Sequence, residues 1–381
     1  MNNSSTSLRN SLCVRGMALL GLLVSMASCG IFQTTERHIP SDTTPNDILL
    51  IGTYTDASSE GVYSFSIDVK ALQADHIGTF KSPNPSYLTL DEKRSILFMV
   101  NETEDQPSVT AAKMDRMTGE LKKINTTPTL GKSPAYITYN DGAVVTANYG
   151  GGSITLIEVN KDGSLGTPDW RIELGKEGES HPHATVFQPG AQWLYVTDLG
   201  QDKIFRFNYR KKVPPLTIDS NVTSLPKGSG PRHIIFDRQG KYAYLVNELK
   251  PSVVVFSVSD QGLEQIQEVS TDTRSARGGG HIALSPDGRF LYTSHRIQGD
   301  GIVVFKVDPN SGKLTRIGFT PTGKHPRHFS FSPDGKYIAV ACKDASSIEF
   351  YQRDLNTGLL TKKEMRIQVS HPAFVLWHKA R

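Results

Sequence analysis

HPRHFSFSPDGKYIAVACKDASSIEFY, residues 325–351, alternates short β-rich runs with turn signals. Pro326 precedes a first apolar run, Pro333-Asp334-Gly335 turns the chain, KYIAVAC returns as a second strand, and SSIEFY begins a third. Val, Ile, Phe and Tyr suit a pleated, half-buried surface, while Gly and Asp supply the positive φ that tight hairpins need. No long stretch with a helical period occurs here or elsewhere from about Ile48 onward.

The same pattern recurs outward in both directions. A Pro or Gly stands immediately before a short hydrophobic strand at Pro85, Pro134, Pro182, Pro231, Gly280, Pro326 and Pro372, at intervals of 49, 48, 49, 49, 46 and 46 residues. Explicit turns follow several of these anchors, as at Asp141-Gly142, Gln239-Gly240 and Pro286-Asp287-Gly288. A second turn recurs at Thr118-Gly119, Asp162-Gly163, Gln261-Gly262, Ser311-Gly312 and Thr357-Gly358. Each repeat therefore holds four strands, A to D, which is the make-up of a propeller blade. The predicted fold is all-β: a seven-bladed β-propeller of four-stranded blades. Near Leu49–Thr55 the run ending in GTYT reads as a B strand with no A strand before it, and AFVLW after Pro372 reads as an A strand. The C-terminal inner strand is thus expected to join the N-terminal blade and close the ring, leaving no open edge.

The 381 residues are 37% hydrophobic and 21% charged, with three cysteines, which excludes a disordered chain and a disulfide scaffold. Residues 1–28 read as an export signal of the lipoprotein type. Met17–Ala27 (MALLGLLVSMA) is too short to span a bilayer and suits a signal h-region, and Cys29 follows in the run Met26-Ala27-Ser28-Cys29-Gly30. Cleavage before Cys29 removes Arg9 and Arg15, so the formal charge falls from +4 to +2 and no basic domain remains for nucleic acid. Residues 29–47 read as a tether and 48–381 as the propeller. The chain is expected to be exported to the periplasm, with a lipid anchor at Cys29, and to be monomeric. With Cys13 removed and Cys29 lipidated, Cys342 is left as a single thiol and no internal disulfide can form.

In a propeller the A strand lines the central channel, so residues just past each anchor sit near one mouth. Anchor-plus-one reads Ser86, Ala135, His183, Arg232, His281, Arg327 and Ala373 around the ring, and His233, His328 and His181 lie beside that set. The B-strand ends, which share this face, read Tyr54, Glu102, Tyr149, Leu199, Glu248, Arg296 and Lys343. The opposite rim shows no comparable clustering of His and Arg. Such a ring can simply solvate a channel, with Arg–Glu pairs as structural ties, but several buried arginines are costly without an anionic guest. No metal site is assigned: His181, His183, Asp198 and Glu248 form no closed ligand set of familiar spacing, and at most a weakly held divalent cation is compatible with them. No cofactor is expected, since nucleophile-elbow, P-loop and dinucleotide fingerprints are all missing.

GTYT (52–55), HPHATVFQPG (181–190), YVTDLGQDKIFRF (195–207), GPRHIIFDRQGKYAYLVNEL (230–249), SPDGRFLYTSHR (285–296) and the 325–351 stretch together resemble the seven-bladed lactonase family, the bacterial 6-phosphogluconolactonase propellers related to the carboxymuconate-lactonising enzyme. The resemblance spans about residues 48–377. It implies hydrolysis of the ester of a sugar-phosphate lactone, with His183, Arg232, Glu248 and Arg296 as catalytic residues. An export signal favours a sugar or aldonic lactone instead, and the repeat alignment expects His181, Asp198, His233, His281, Arg327, His328 and Lys343 around this small anionic or sugar lactone. Glu248 or His183 would take the proton of the attacking water, and the arginines would hold the oxyanion. The alternatives are a non-catalytic anion- or sugar-binding propeller and a carboxymuconate-type lactonising cyclase. Two departures from the family pattern, His295 and Ala341-Cys342-Lys343-Asp344, are expected on the mouth face, where they would alter substrate preference.

Overall fold

The computed structural model describes residues 46–211, 213–272 and 276–380. Residues 1–28, read as an export signal, Cys29 and nearly all of the stretch read as a tether lie outside the described residues. Among those described, every regular element is a β-strand, and no helix is long and apolar enough to cross a membrane.

The strands form seven antiparallel sheets in blade order. Blade 1 is Leu88–Asp91, Ile96–Asn101, Ser108–Met114 and Leu121–Pro128, and blades 2 to 6 follow along the chain. Only blade 3 departs from four strands: its outer strand is split into Leu216–Ile218 and Thr223–Ser224, both paired with Lys203–Tyr209. Blade 7 closes the ring as expected, with Pro372–His378 innermost against Asp47–Thr53, Gly61–Asp68 and Gln73–Lys81. Leu49 faces Trp377 and Ile51 faces Val375 in that clasp.

The alternating strands put apolar side chains on both faces of each blade, and each interface between blades carries its own buried cluster. Leu49, Ile51, Val375 and Trp377 of blade 7 pack on Ile348 and Phe350 of blade 6, while Ile204 and Tyr195 of blade 3 pack on Leu245 and Phe256 of blade 4. Truncating one such aromatic to Ala costs about 3–5 kcal/mol. The sheets are therefore rigid mounts for whatever their inner strands carry.

Outside blade 1 the inner strands start with a bulge, and this detail positions the site. Pro231 pairs with Asn247 but His233 with Val246, so Arg232 is the extra residue; Pro182/Ala184 and Pro326/His328 leave His183 and Arg327 extra in the same way. A bulge re-aims the side chain it carries. In blades 4 and 6 it sends the first polar residue into the mouth, and the second one a layer deeper.

Blade 5 corrects the sequence alignment. Gly279, not Gly280, pairs with His295 as Pro231 pairs with Asn247. The residue before the anchor is left-handed in six blades, at Asn84, Ser133, Gly230, Gly278, His325 and His371, which marks Gly279 independently. Gly280 is thus the bulged residue, and His281 belongs to the deeper layer with His233 and His328. A Cβ on Gly280 would stand 2.5 Å from Ser294 Oγ and 3.1 Å from the Pro326 carbonyl, so the glycine lets the bulge lie against blade 6 and the strand beside it.

Candidate active site

The A-strand bulges and B-strand ends of blades 4 and 5 bring Arg232, Glu248 and Arg296 together. Arg232 Nε donates to Glu248 Oε2 at 2.9 Å, and Arg296 Nη2 lies 2.5 Å from the same oxygen. Arg232 Nη1 donates to the Gly280 carbonyl at 2.6 Å. Arg296 Nη1 donates to His325 Nε2 at 3.2 Å, and His325 Nδ1 in turn donates to Asp344 Oδ2 at 3.0 Å. Arg296 Nε is buried without a partner, whereas Arg232 Nη2 and Glu248 Oε1 are neither paired nor shut off from the channel.

One carboxylate therefore serves two buried guanidinium groups. Burial alone would raise the Glu248 pKa, but Arg296 and Arg232 outweigh it and hold the carboxyl below its ordinary value. Burial, followed by the charge of Arg296, pulls Arg232 down to about 9, so it stays cationic at neutral pH. Burial, with Arg296 next, lowers His325 to about 4, and it is neutral.

His183 stands beside this cluster, edge-on to Tyr149 with ring centroids 5.5 Å apart. Its Nδ1 is buried without a partner, which leaves Nε2 as the nitrogen open to the channel. Burial first, then the charges of Arg232, Arg327 and Arg296, keep the imidazole neutral. His181 stacks on the Tyr149 ring with centroids 4.7 Å apart and its Nδ1 3.0 Å from the Tyr149 carbonyl.

Across the mouth a second constellation forms between blades 7, 1 and 6. Tyr54 Oη donates to Glu102 Oε2 at 2.8 Å and accepts from Arg327 Nη2, while Ser86 Oγ donates to the same Glu102 oxygen. Asn84 ties the two strand ends: its Oδ1 accepts from Thr55 N at 2.8 Å and its Nδ2 donates to the Glu102 carbonyl at 3.0 Å. The Lys343 ammonium lies 5.7 Å from the Tyr54 ring centroid.

Below both clusters the channel is plugged by rings. His233 meets His281 with Nδ1 atoms 3.2 Å apart, His281 and His328 rings are 3.8 Å apart, and His328 lies 3.9 Å from Phe374. Tyr87 and Tyr136, 4.0 Å apart, complete the layer. Burial lowers all three imidazoles, His281 to about 3, so the plug is uncharged.

The structure thus brings His181, His183, Arg232, Glu248, Arg296, Arg327 and Lys343 to one mouth. His233, His281 and His328 form its floor instead. Asp198 is a correction: it accepts from Ser180 Oγ, His181 N, Gly200 N, Gln201 N and Gln201 Nε2, so it folds its own loop and has no oxygen to spare. His295 and Cys342 are corrections too. His295 turns between blades to Thr271 O at 3.1 Å, and Cys342 is wholly buried with its thiol pKa pushed up by burial, so of that pair of departures only Lys343 and Asp344 reach the mouth. Tyr54 and Glu102 align with the B-strand ends in the sequence but have no role there; Asp344 stands out only as part of a departure from the family pattern, and nothing in the sequence singles out His325. The opposite end is not short of arginines either, but Arg94, Arg206 and Arg353 each have a carboxylate of their own. Among the described residues no three His, Cys, Asp or Glu side chains are grouped so as to hold a metal ion.

Comparison with known proteins agrees with this architecture. The model of the lactonase, seven-bladed β-propeller family matches residues 48–377. A 6-phosphogluconolactonase of Bacillus subtilis is 33% identical over 85% of this chain and 96% of its own length. Another from Formosa agariphila is 30% identical over 84% of this chain and 97% of its own. Among solved structures, a periplasmic gluconolactonase of Pseudomonas aeruginosa superposes with a TM-score of 0.81 at 29% identity, covering 88% of this chain and 99% of that one. The chain belongs to the seven-bladed β-propeller lactonase family.

Proposed function

We propose that the chain hydrolyses the ring ester of a small sugar-type lactone at the mouth lined by Arg232, Glu248 and Arg296. The observation that carries this reading is the single carboxylate held between two buried arginines with an open oxygen and an open donor beside it. Water adds to the lactone carbonyl and loses its proton to Glu248 Oε1. Arg232 Nη2 donates to the oxyanion that forms, and Arg296 contributes its charge. The negative charge leaves Glu248 as it appears on the oxyanion, so the two guanidinium groups exchange one anion for another and no new charge is created in a buried site. Collapse of the tetrahedral adduct breaks the ring C–O bond, and Glu248 returns its proton to the leaving alkoxide, giving the open hydroxy acid. His183, neutral and open through Nε2, orients the water. Using His183 as the base would instead create an imidazolium beside three arginines, which is why Glu248 is preferred.

The lactonase names of the relatives support the reaction class, and the gluconolactonase from the periplasm supports an exported enzyme. We further propose that residues 1–28 direct export, that 29–47 tether the propeller through a lipidated Cys29, and that 48–381 form the single folded domain. Mass spectrometry of the mature N-terminus tests this; an unmodified Met1 would refute it. For the reaction, purified protein is assayed on 6-phosphogluconolactone, glucono-δ-lactone and δ-valerolactone. Arg296→Ala is expected to lower kcat/KM about 100-fold or more on any lactone turned over. Turnover of none by the wild type, or an unchanged Arg296→Ala rate, would refute the reading.

A further inference from the structure

The mouth has two halves that differ in chemistry. In the Arg232–Glu248–Arg296 half two guanidinium groups share one carboxylate oxygen. In the other half Glu102 is an acceptor whose Oε2 is taken by Tyr54 and Ser86, while its Oε1 has no partner and is not shut off. Arg327 spends only Nη2, on Tyr54, so Nε and Nη1 remain as donors. Tyr54 stands between them, its only hydroxyl proton committed to Glu102. An unpaired acceptor and unpaired donors thus flank one phenol.

We propose that Tyr54, Glu102 and Arg327 form a subsite for two neighbouring hydroxyl groups of the lactone, and that this subsite selects polyhydroxylated lactones over bare ones. It rests on the hydrolytic reading above and deepens it. A hydroxyl both donates and accepts, so one hydroxyl of a vicinal pair donates to Glu102 Oε1 while its neighbour accepts from Arg327. A phosphate dianion has no proton to give Glu102 Oε1 and is repelled by that carboxylate, although Arg327 and Lys343 attract it, whereas a pair of hydroxyls satisfies the acceptor and the donors together. The two halves are coupled electrostatically: Arg327 and Arg232 both act on the Tyr54 phenol, and Arg327 acts on Glu248. A lactone ring seated by its hydroxyls on blades 7, 1 and 6 would present its carbonyl to blades 4 and 5. Asn84 fixes the spacing of Tyr54 and Glu102, because it bonds both strand ends.

The test is the specificity ratio, kcat/KM on glucono-δ-lactone over kcat/KM on δ-valerolactone. Glu102→Gln and Tyr54→Phe are expected to lower that ratio about 10–100-fold, the worth of one or two hydrogen bonds to a charged group. A general structural or catalytic role would lower both terms together and leave the ratio unchanged, and that outcome overturns the proposal. Glu102→Gln, which preserves shape, decides the matter if Tyr54→Phe fails to fold. Should the wild type turn over neither lactone, the hydrolytic reading falls, and calorimetric titration with gluconolactam still decides the subsite. A loss of affinity of tenfold or more in Glu102→Gln supports it, and equal affinity, or no binding to the wild type, overturns it.

Discussion

Arg206 and Arg232 are buried to the same depth, each 2% exposed, yet their partners differ. Arg206 gives Nε and Nη2 to Asp219, gives Nη1 to the Asp260 carbonyl, and lies 4.0 Å over the Trp193 ring. It has one carboxylate of its own and every nitrogen is engaged. Arg232 shares Glu248 with Arg296 and keeps one nitrogen open to the channel. A buried arginine in a complete one-to-one pair ties a structure together. Two arginines sharing one anion leave positive charge waiting for another, and that anion can be one that exists only while a reaction proceeds.

The contrast is sharpest in the carboxylates. Glu248→Gln is expected to lower kcat/KM about 1000-fold or more, since it removes the base and the shared counter-charge together. Asp219→Asn is expected to cost about 2–4 kcal/mol of stability, measured by denaturant unfolding, with kcat/KM kept within about threefold. A large activity loss in Asp219→Asn would erase the distinction.

Acid should act on the buried histidines of the mouth and the channel plug before it acts on either pair. His183, His233, His281 and His328 have folded-state pKa values below their unfolded value of about 6.5, so the unfolded chain takes up protons that the folded chain refuses. Their full contribution is present above that value and is lost as pH falls from it toward the folded-state values, by up to about 1.4 kcal/mol per pH unit for each imidazole. Denaturant unfolding between pH 7 and 5 is expected to show this slope, and His281→Phe to flatten it by about one proton. A flat profile in the wild type would contradict the neutral plug.

Smaller effects separate positioning from chemistry. Asp344→Asn frees His325, which holds Arg296, and is expected to lower kcat/KM about 3–10-fold, chiefly through kcat. Because Glu248 is held below its ordinary pKa, kcat/KM is expected to stay level from pH 8 to about 5, as far as the protein remains folded. An acid limb near 6.5 would point to an imidazole base instead.

Much of this was readable from residues alone. The blades were legible because a Pro or Gly before an apolar run recurs at a nearly constant interval, and the clasp because GTYT lacks an inner strand of its own. Blade 5 was misaligned by one because Gly278, Gly279 and Gly280 are interchangeable as letters. Only the left-handed Gly278 and the Gly279–His295 pair distinguish them. Asp198 was misjudged because a carboxylate saturated by the next turn's amides reads like a free one. Tyr54 and Glu102 were aligned yet not paired, since their contact joins neighbouring blades 48 residues apart and depends on Asn84 between them.

The most direct test of the account sets Arg232→Met beside Arg206→Met, both assayed for lactone hydrolysis at a temperature where each is folded by circular dichroism. The account predicts a loss in kcat/KM of about 100-fold or more for Arg232→Met and less than about threefold for Arg206→Met. Equal losses, or an active Arg232→Met, would contradict it.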